Sequence, residues 1–170
     1  MKKSVLAVAM GALMVVGAAH ADGHGKNVET SVGFGYQTIS VGDISNGALN
    51  VNYRKMNGSF NDFGVEFGIT RAINSDKISG IEVKANMLNA SIVYLNEVAP
   101  NVQVGGKLGF AYTNVSATGS SETASGLDYA LMGEYGINEK WGVTAVVGAT
   151  SGDLAGDSAT YAGIGANYKF

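Results

Sequence analysis

Six charged side chains stand out by position: Arg54, Glu66, Lys107, Asp128, Glu134 and Lys169 each lie on the polar side of a stretch in which apolar and polar residues alternate. Three acids and three bases gathered on one set of faces point to electrostatic chemistry. If they are enclosed together they must pair, because a charge buried alone is expensive. Groups suited to bond-making are scarce. The chain has no cysteine, which excludes disulfides, thiolate nucleophiles and thiolate metal sites. Its two histidines, His20 and His24, both fall near the start. Within Asp22-Gly23-His24-Gly25, an imidazole and a new amino terminus make a weak metal candidate, but the glycines flanking His24 favour a flexible leader. No H-E-x-x-H, P-loop or G-x-S-x-G pattern occurs. Neither a metal nor a cofactor is expected.

The elements that must position these charges read as β-strands. Phe63, Val65, Phe67 and Ile69 share one face of a strictly alternating segment, and Gly64, Glu66, Gly68 and Thr70 share the other. Period 2 is the signature of a strand. The pattern recurs at Ser31–Gln37, Leu49–Arg54, Leu88–Tyr94, Val102–Tyr112, Leu127–Ile137, Trp141–Gly148 and Ala162–Phe170, giving eight strands. Residues 81–87 fit less well: Ile81, Val83, Ala85 and Met87 follow one parity and Leu88 to Tyr94 the other. Either a bulge near Met87-Leu88 resets the phase, or residues 81–85 extend beyond the region where the rule applies.

The connections alternate in character. Residues 37–46, 71–80, 114–125 and 150–159 read as longer polar loops; 55–61 (with the hairpin signal Asn57-Gly58), 95–101 and 137–140 read as short turns. An antiparallel meander follows, with long loops on one rim and both termini on the other. The long loops are rich in small polar residues, as in 114–125, and lack an aromatic anchor for a protein partner.

Which face points inward depends on the solvent. The polar faces mix charges with many small residues, which suits the crowded interior of a narrow barrel. Apolar side chains outside and polar ones inside is the pattern of a transmembrane barrel, and each segment is close to the 9–11 residues needed to cross a bilayer at a tilt. Aromatic residues near segment ends, Tyr36, Tyr53, Phe60, Tyr94, Tyr112, Trp141, Tyr168 and Phe170, match an interfacial girdle. The first 21 residues read as a signal peptide: basic Lys2-Lys3, an uncharged apolar run from Ser4 to Gly17, and Ala19-His20-Ala21 before a cleavage point. The expected organisation is therefore a signal peptide at 1–21, a short periplasmic leader at 22–27 and an all-β, eight-stranded, antiparallel up-and-down transmembrane β-barrel at 28–170. A net charge of -3 gives no electrostatic reason to expect nucleic acid as a partner.

At this level of detail the sequence resembles the small outer-membrane barrels of Gram-negative bacteria, the OmpA-like transmembrane domain and OmpX-like group. The closing segment from Tyr161 to Phe170 carries the resemblance best: Ile164, Tyr168 and the terminal Phe170 resemble the signal read by the barrel assembly machinery. Val104 to Tyr112 also resembles a recurrent strand of the group. The resemblance implies a place in the outer membrane among lipid and lipopolysaccharide, with periplasmic termini and extracellular longer loops. It implies no binding to the cell wall, because the pattern ends with the barrel. Members that act as enzymes on lipids typically use a His and a Ser near the rim, and His24 lies outside the strands, so no enzyme activity is expected. The inward charges resemble the salt-bridge plug of OmpA-like barrels. Two functions stay open: a structural or surface-interaction barrel, with an extracellular partner not named by the residues, and a narrow porin for small solutes or ions. By depth from the loop at 114–125, Glu134 is the expected principal partner of Lys107, with Glu66 competing across the lumen.

Overall fold

The computed structural model describes residues 28–57, 63–78, 81–152 and 158–170. The expected signal peptide, leader and His24 lie outside the described residues, as do Phe60 and Gly58 of the Asn57-Gly58 turn. The described residues form β1 (Glu29–Val41), β2 (Ile44–Met56), β3 (Phe63–Ala72), β4 (Asp76–Ile78), β5 (Ile81–Ala99), β6 (Val102–Ala117), β7 (Ser120–Gly136), β8 (Trp141–Thr150) and β9 (Ala159–Lys169). All pairings are antiparallel. β9 returns to β1 and β3 pairs with β5, so eight strands close into an up-and-down barrel, with short β4 added beside β5.

Register fixes the barrel's geometry. Directly paired residues run from Ser31 through Arg54, Glu66, Ser91, Gly109 and Asp128 to Thr150. One row nearer the rim at Glu29 the circuit closes through Thr30, Tyr129, Ala149 and Thr160 at Ser40, ten residues along β1 from Thr30. Such a stagger over eight strands tilts them by about 40° and leaves an interior that side chains can fill. The outer surface is apolar and open, from Phe34 and Val51 through Ile69, Leu108 and Phe110 to Leu131, which is 70% exposed. At the rim that holds Glu29 and Phe170, the aromatic pairs Phe63–Tyr94, Trp141–Tyr168 and Tyr168–Phe170 lie at centroid separations of 4.9, 5.0 and 5.3 Å.

Two of the four expected long loops are instead strand. β1 and β2 continue to Val41 and Ile44, and β6 and β7 to Ala117 and Ser120. The connecting turns are Gly42-Asp43 and Thr118-Gly119; the glycines there adopt φ values of 54° and 80°, which side chains disfavour. Small polar residues looked like loop, but cross-strand pairing overrode their weak strand preference. Of the two readings of residues 81–87, the bulge near Met87-Leu88 is absent, since β5 pairs with β6 without interruption from Val83 to Glu97, and the irregularity falls at Glu97/Ala99. Residues 81–85 therefore continue the strand in phase. What changes is the chemistry of the inward face, which becomes apolar toward the far rim, opposite Glu29 and Phe170.

That far end is closed from within. Ile39, Val41, Ala48, Ala85, Met87, Ala159 and Tyr161 form a buried cluster. Beside it the sheet has a gap: β3 leaves β5 after Thr70–Met87, and β4 joins β5 at Asp76–Val83. The Asn46 side chain fills the space between. Its amide donates to the Val83 carbonyl (3.1 Å) and accepts from the Ala85 N–H (2.8 Å), the two bonds a neighbouring strand would supply. Residues 73–76 are tied across β2 by Ile73 N–H to Gly47 O (2.9 Å), Gly47 N–H to Asn74 Oδ1 (2.6 Å) and Ser45 N–H to Asp76 Oδ2 (2.9 Å). The Ser45 N–H, and after it the Lys77 N–H, hold the Asp76 carboxyl below the usual carboxylate range. Replacing Asn46 by Ala strands a buried donor and acceptor on β5, at about 1–3 kcal/mol. Denaturant unfolding in micelles should show this loss, with faster hydrogen exchange at the Ala85 amide than at Ala111, which does not bond to Asn46.

Candidate functional site

Alternation along tilted strands aims the six charges into one enclosed space. Arg54 on β2 and Glu66 on β3 are direct register partners. The guanidinium donates from Nε (3.0 Å) and Nη2 (2.8 Å) to Glu66 Oε2, and from Nη1 (2.8 Å) to Glu134 Oε2. In ring order β2 and β7 are diametrically opposed, so the Arg54–Glu134 bond spans the lumen. Lys107 Nζ on β6 lies 3.2 Å from Glu66 Oε1 and 3.7 Å from Asp128 Oδ2. Lys169 Nζ on β9 lies 3.3 Å from Glu134 Oε1 and 3.0 Å from Glu29 Oε1 at the rim. The result is one chain of alternating sign: Asp128, Lys107, Glu66, Arg54, Glu134, Lys169, Glu29. Glu66, Asp128 and Glu134 balance Arg54, Lys107 and Lys169, which answers the desolvation demand that enclosure makes.

Neutral side chains complete the carboxylates. Asp128, 0% exposed, accepts from Tyr161 Oη (2.6 Å), Ser91 Oγ (2.9 Å) and Asn89 Nδ2 (3.2 Å). Glu134 accepts from Asn167 Nδ2 (2.8 Å), whose own carbonyl accepts from Thr144 Oγ1 (3.3 Å). The Tyr161 ring also sits 5.4 Å under the Lys107 ammonium, a cation–π distance. Tyr161 on β9 reaches Asp128 on β7 by passing over Gly148, its register partner on the intervening β8: a Cβ there would lie 2.5 Å from the ring. On the β1–β9 wall, lined by Gly33, Gly35, Gly163 and Gly165, a gap of about 40 Å³ remains, room for a few waters.

All six sequence-derived charges meet in this network, but the expected Lys107–Glu134 pair does not form. The β6–β7 turn lies at 118–119, so Lys107 registers with Ala130 and Glu134 with Gln103. Four residues separate those positions on β7, about 13 Å of strand, and Glu66 is the closer carboxylate. Glu29, Asn89, Ser91, Tyr161 and Asn167 were not among the candidates. Strand parity contained a signal for Tyr161, two residues before Gly163 on the inward face. Of the closing segment, Ile164 faces outward (68% exposed), Tyr168 makes edge-to-face contacts with both Trp141 and Phe170, and Phe170 N–H bonds Thr30 O (2.9 Å).

A family model described as outer membrane protein beta-barrel domain matches residues 5–170. The chain is a member of that outer-membrane β-barrel family. No curated protein matches the sequence. Among solved structures it is similar to Ail, the attachment invasion locus protein of Yersinia pestis, at 21% identity and TM-score 0.61, covering 85% of this chain and 99% of that one. OprG from Pseudomonas aeruginosa gives 17% and 0.61, covering 85% and 97%. Neisserial surface protein A gives 15% and 0.58, covering 86% and 100%. At these identities the likeness is one of fold. For an outer-membrane barrel the exposed apolar band lies against lipid and the charges line the lumen.

The geometry ranks the cations. Arg54 holds two carboxylates from different strands with three short bonds, and Lys107 holds two at longer range. Arg54→Met should destabilise the barrel by about 3–5 kcal/mol, the usual scale for breaking a buried pair, and by more than Lys107→Met. Urea unfolding of both variants in the same micelle checks the order; equal or reversed midpoints would refute it.

Proposed function

We propose that this barrel is a structural and surface element of the outer membrane whose lumen is plugged. The carrying observation is the alternating ion-pair chain, which links β2 to β7 across the lumen. The apolar cluster at the far end adds a second closure. A gap of about 40 Å³ admits water and has no room for a hydrated solute, so the narrow-porin reading has less support. Glu29 and Phe170 share one rim, which fits termini in the periplasm and the far rim outside. Residues 1–21 would serve export, and the Ile164, Tyr168 and Phe170 ending would engage the assembly machinery.

The far rim fits a modest surface role. Ail has been solved with the heparin analogue sucrose octasulfate. In this chain the far-rim cations Arg71, Lys77 and Lys84 alternate with Asp43, Asp76 and Glu82, so no basic cluster suits a polyanion. Outer-membrane lipid is the nearer partner.

Planar-bilayer recording of the refolded protein tests the plug. The expected trace is silent at moderate voltage, and Arg54→Met, which opens the transluminal bond, raises the frequency of openings. Steady, solute-sized conductance from the unaltered protein would overturn the plugged reading.

A further inference from the structure

Outside the lumen, the seam where β3 parts from β5 holds an open groove of about 240 Å³ on the outer wall. Its lining is graded. Ile69, Leu88 and Tyr112 form one directly paired row across β3, β5 and β6. One step toward the far rim, Arg71, Asn86 and Asn114 replace them, with Asn86 and Asn114 in register. One step further, Lys84 registers with Ser116. The outward surface thus passes from hydrocarbon to amide and guanidinium to ammonium over three rows.

The two cations are uncommitted. Arg71 and Lys84 are exposed, and neither makes an ion pair among the described residues. The nearby acids are otherwise placed: Asp76 accepts from Ser45 and Lys77 N–H groups, and Glu82 registers with Lys77. Asn86 Oδ1 accepts from Ala72 N–H (3.1 Å) and Asn114 Nδ2 donates to Glu122 O (3.4 Å). These bonds fix the two amides on the groove wall.

We propose that this groove binds one anionic membrane lipid, with an acyl chain against Ile69, Leu88 and Tyr112 and its phosphate at Arg71 and Lys84. The assignment rests on the reading that the barrel crosses a bilayer with this wall facing lipid. The match is one of charge and depth. The basic rows sit just beyond the apolar band, at the level where a headgroup lies, and a tyrosine marks the boundary, as aromatic residues do at membrane interfaces. Basic residues near a membrane surface attract anionic lipid, roughly fivefold for each cation.

The test is native mass spectrometry of the full chain, released from micelles containing equimolar phosphatidylglycerol and phosphatidylcholine with identical acyl chains. The unaltered protein should retain one phosphatidylglycerol in preference to phosphatidylcholine, and glycerol phosphate should not displace it. Arg71→Gln/Lys84→Gln should lose that preference. Lys55→Gln/Lys140→Gln, with the same change in net charge near the opposite rim, should keep it. Circular dichroism and insertion into vesicles report folding for each variant. A protein that inserts but retains the two lipids equally, a groove variant that keeps the preference, or displacement by glycerol phosphate would overturn the lipid site. Failure of the unaltered protein to insert would contradict the barrel reading itself.

Discussion

A charge shut inside a barrel must find its counter-charge there, and this demand organises the molecule. The lumen holds three carboxylates and three cations, and all of them but Lys169, which reaches the rim, are buried away from bulk water. Each carboxylate touches at least one cation, and Arg54 and Lys107 each join two carboxylates. Such a chain has no interchangeable parts: removing one member leaves its neighbours short of a partner, a larger penalty than the net worth of the pair. The strands' tilt and stagger matter because they decide which side chains share a level. Arg54 and Glu66 meet as register partners, whereas Glu134 arrives from the opposite wall.

At mid-barrel the β1–β9 wall is lined by Gly33, Gly35, Gly163 and Gly165, and the arrangement is spatially economical. Glycines on β1 and β9 leave volume for Asn52 and Gln37, and Gly148 leaves room for Tyr161 to reach Asp128. Toward the far rim the inward face turns apolar, so the charges lie beneath a greasy cap and not beneath open water. At the seam where β3 departs, backbone groups that lose a strand neighbour are met by the Asn46 amide. The same departure leaves the graded groove on the outer wall, so one local irregularity shapes both the inner seal and an external surface.

Much of this was legible in the sequence because a strand's period of two is insensitive to context. Alternation from Phe63 to Thr70 marks Glu66 as inward, and the same reading places Arg54, Lys107, Asp128, Glu134 and Lys169. Pairing was not legible, because it depends on register, and register depends on where each hairpin turns. Placing the third loop at 114–125, when the turn is at 118–119, made Glu134 look level with Lys107. The far-rim closure is not legible in the sequence for a related reason. Ile39, Val41, Val83, Ala85 and Met87 are apolar residues on inward parity, and alternation alone reads apolar as outward in a membrane barrel. Asn46 resembles any polar loop residue until the gap beside Ala85 is seen.

The ion pairs' central role is tested most directly by a double-mutant cycle across the lumen. Arg54→Met, Glu134→Gln and the combined variant would be unfolded in urea in one micelle composition. Ion pairing across the barrel predicts strong coupling: the combined variant is less destabilised than the two single losses added together, because removing Glu134's charge relieves the group that Arg54→Met strands. Simple additivity would contradict it and leave the lumen charges as independently solvated groups.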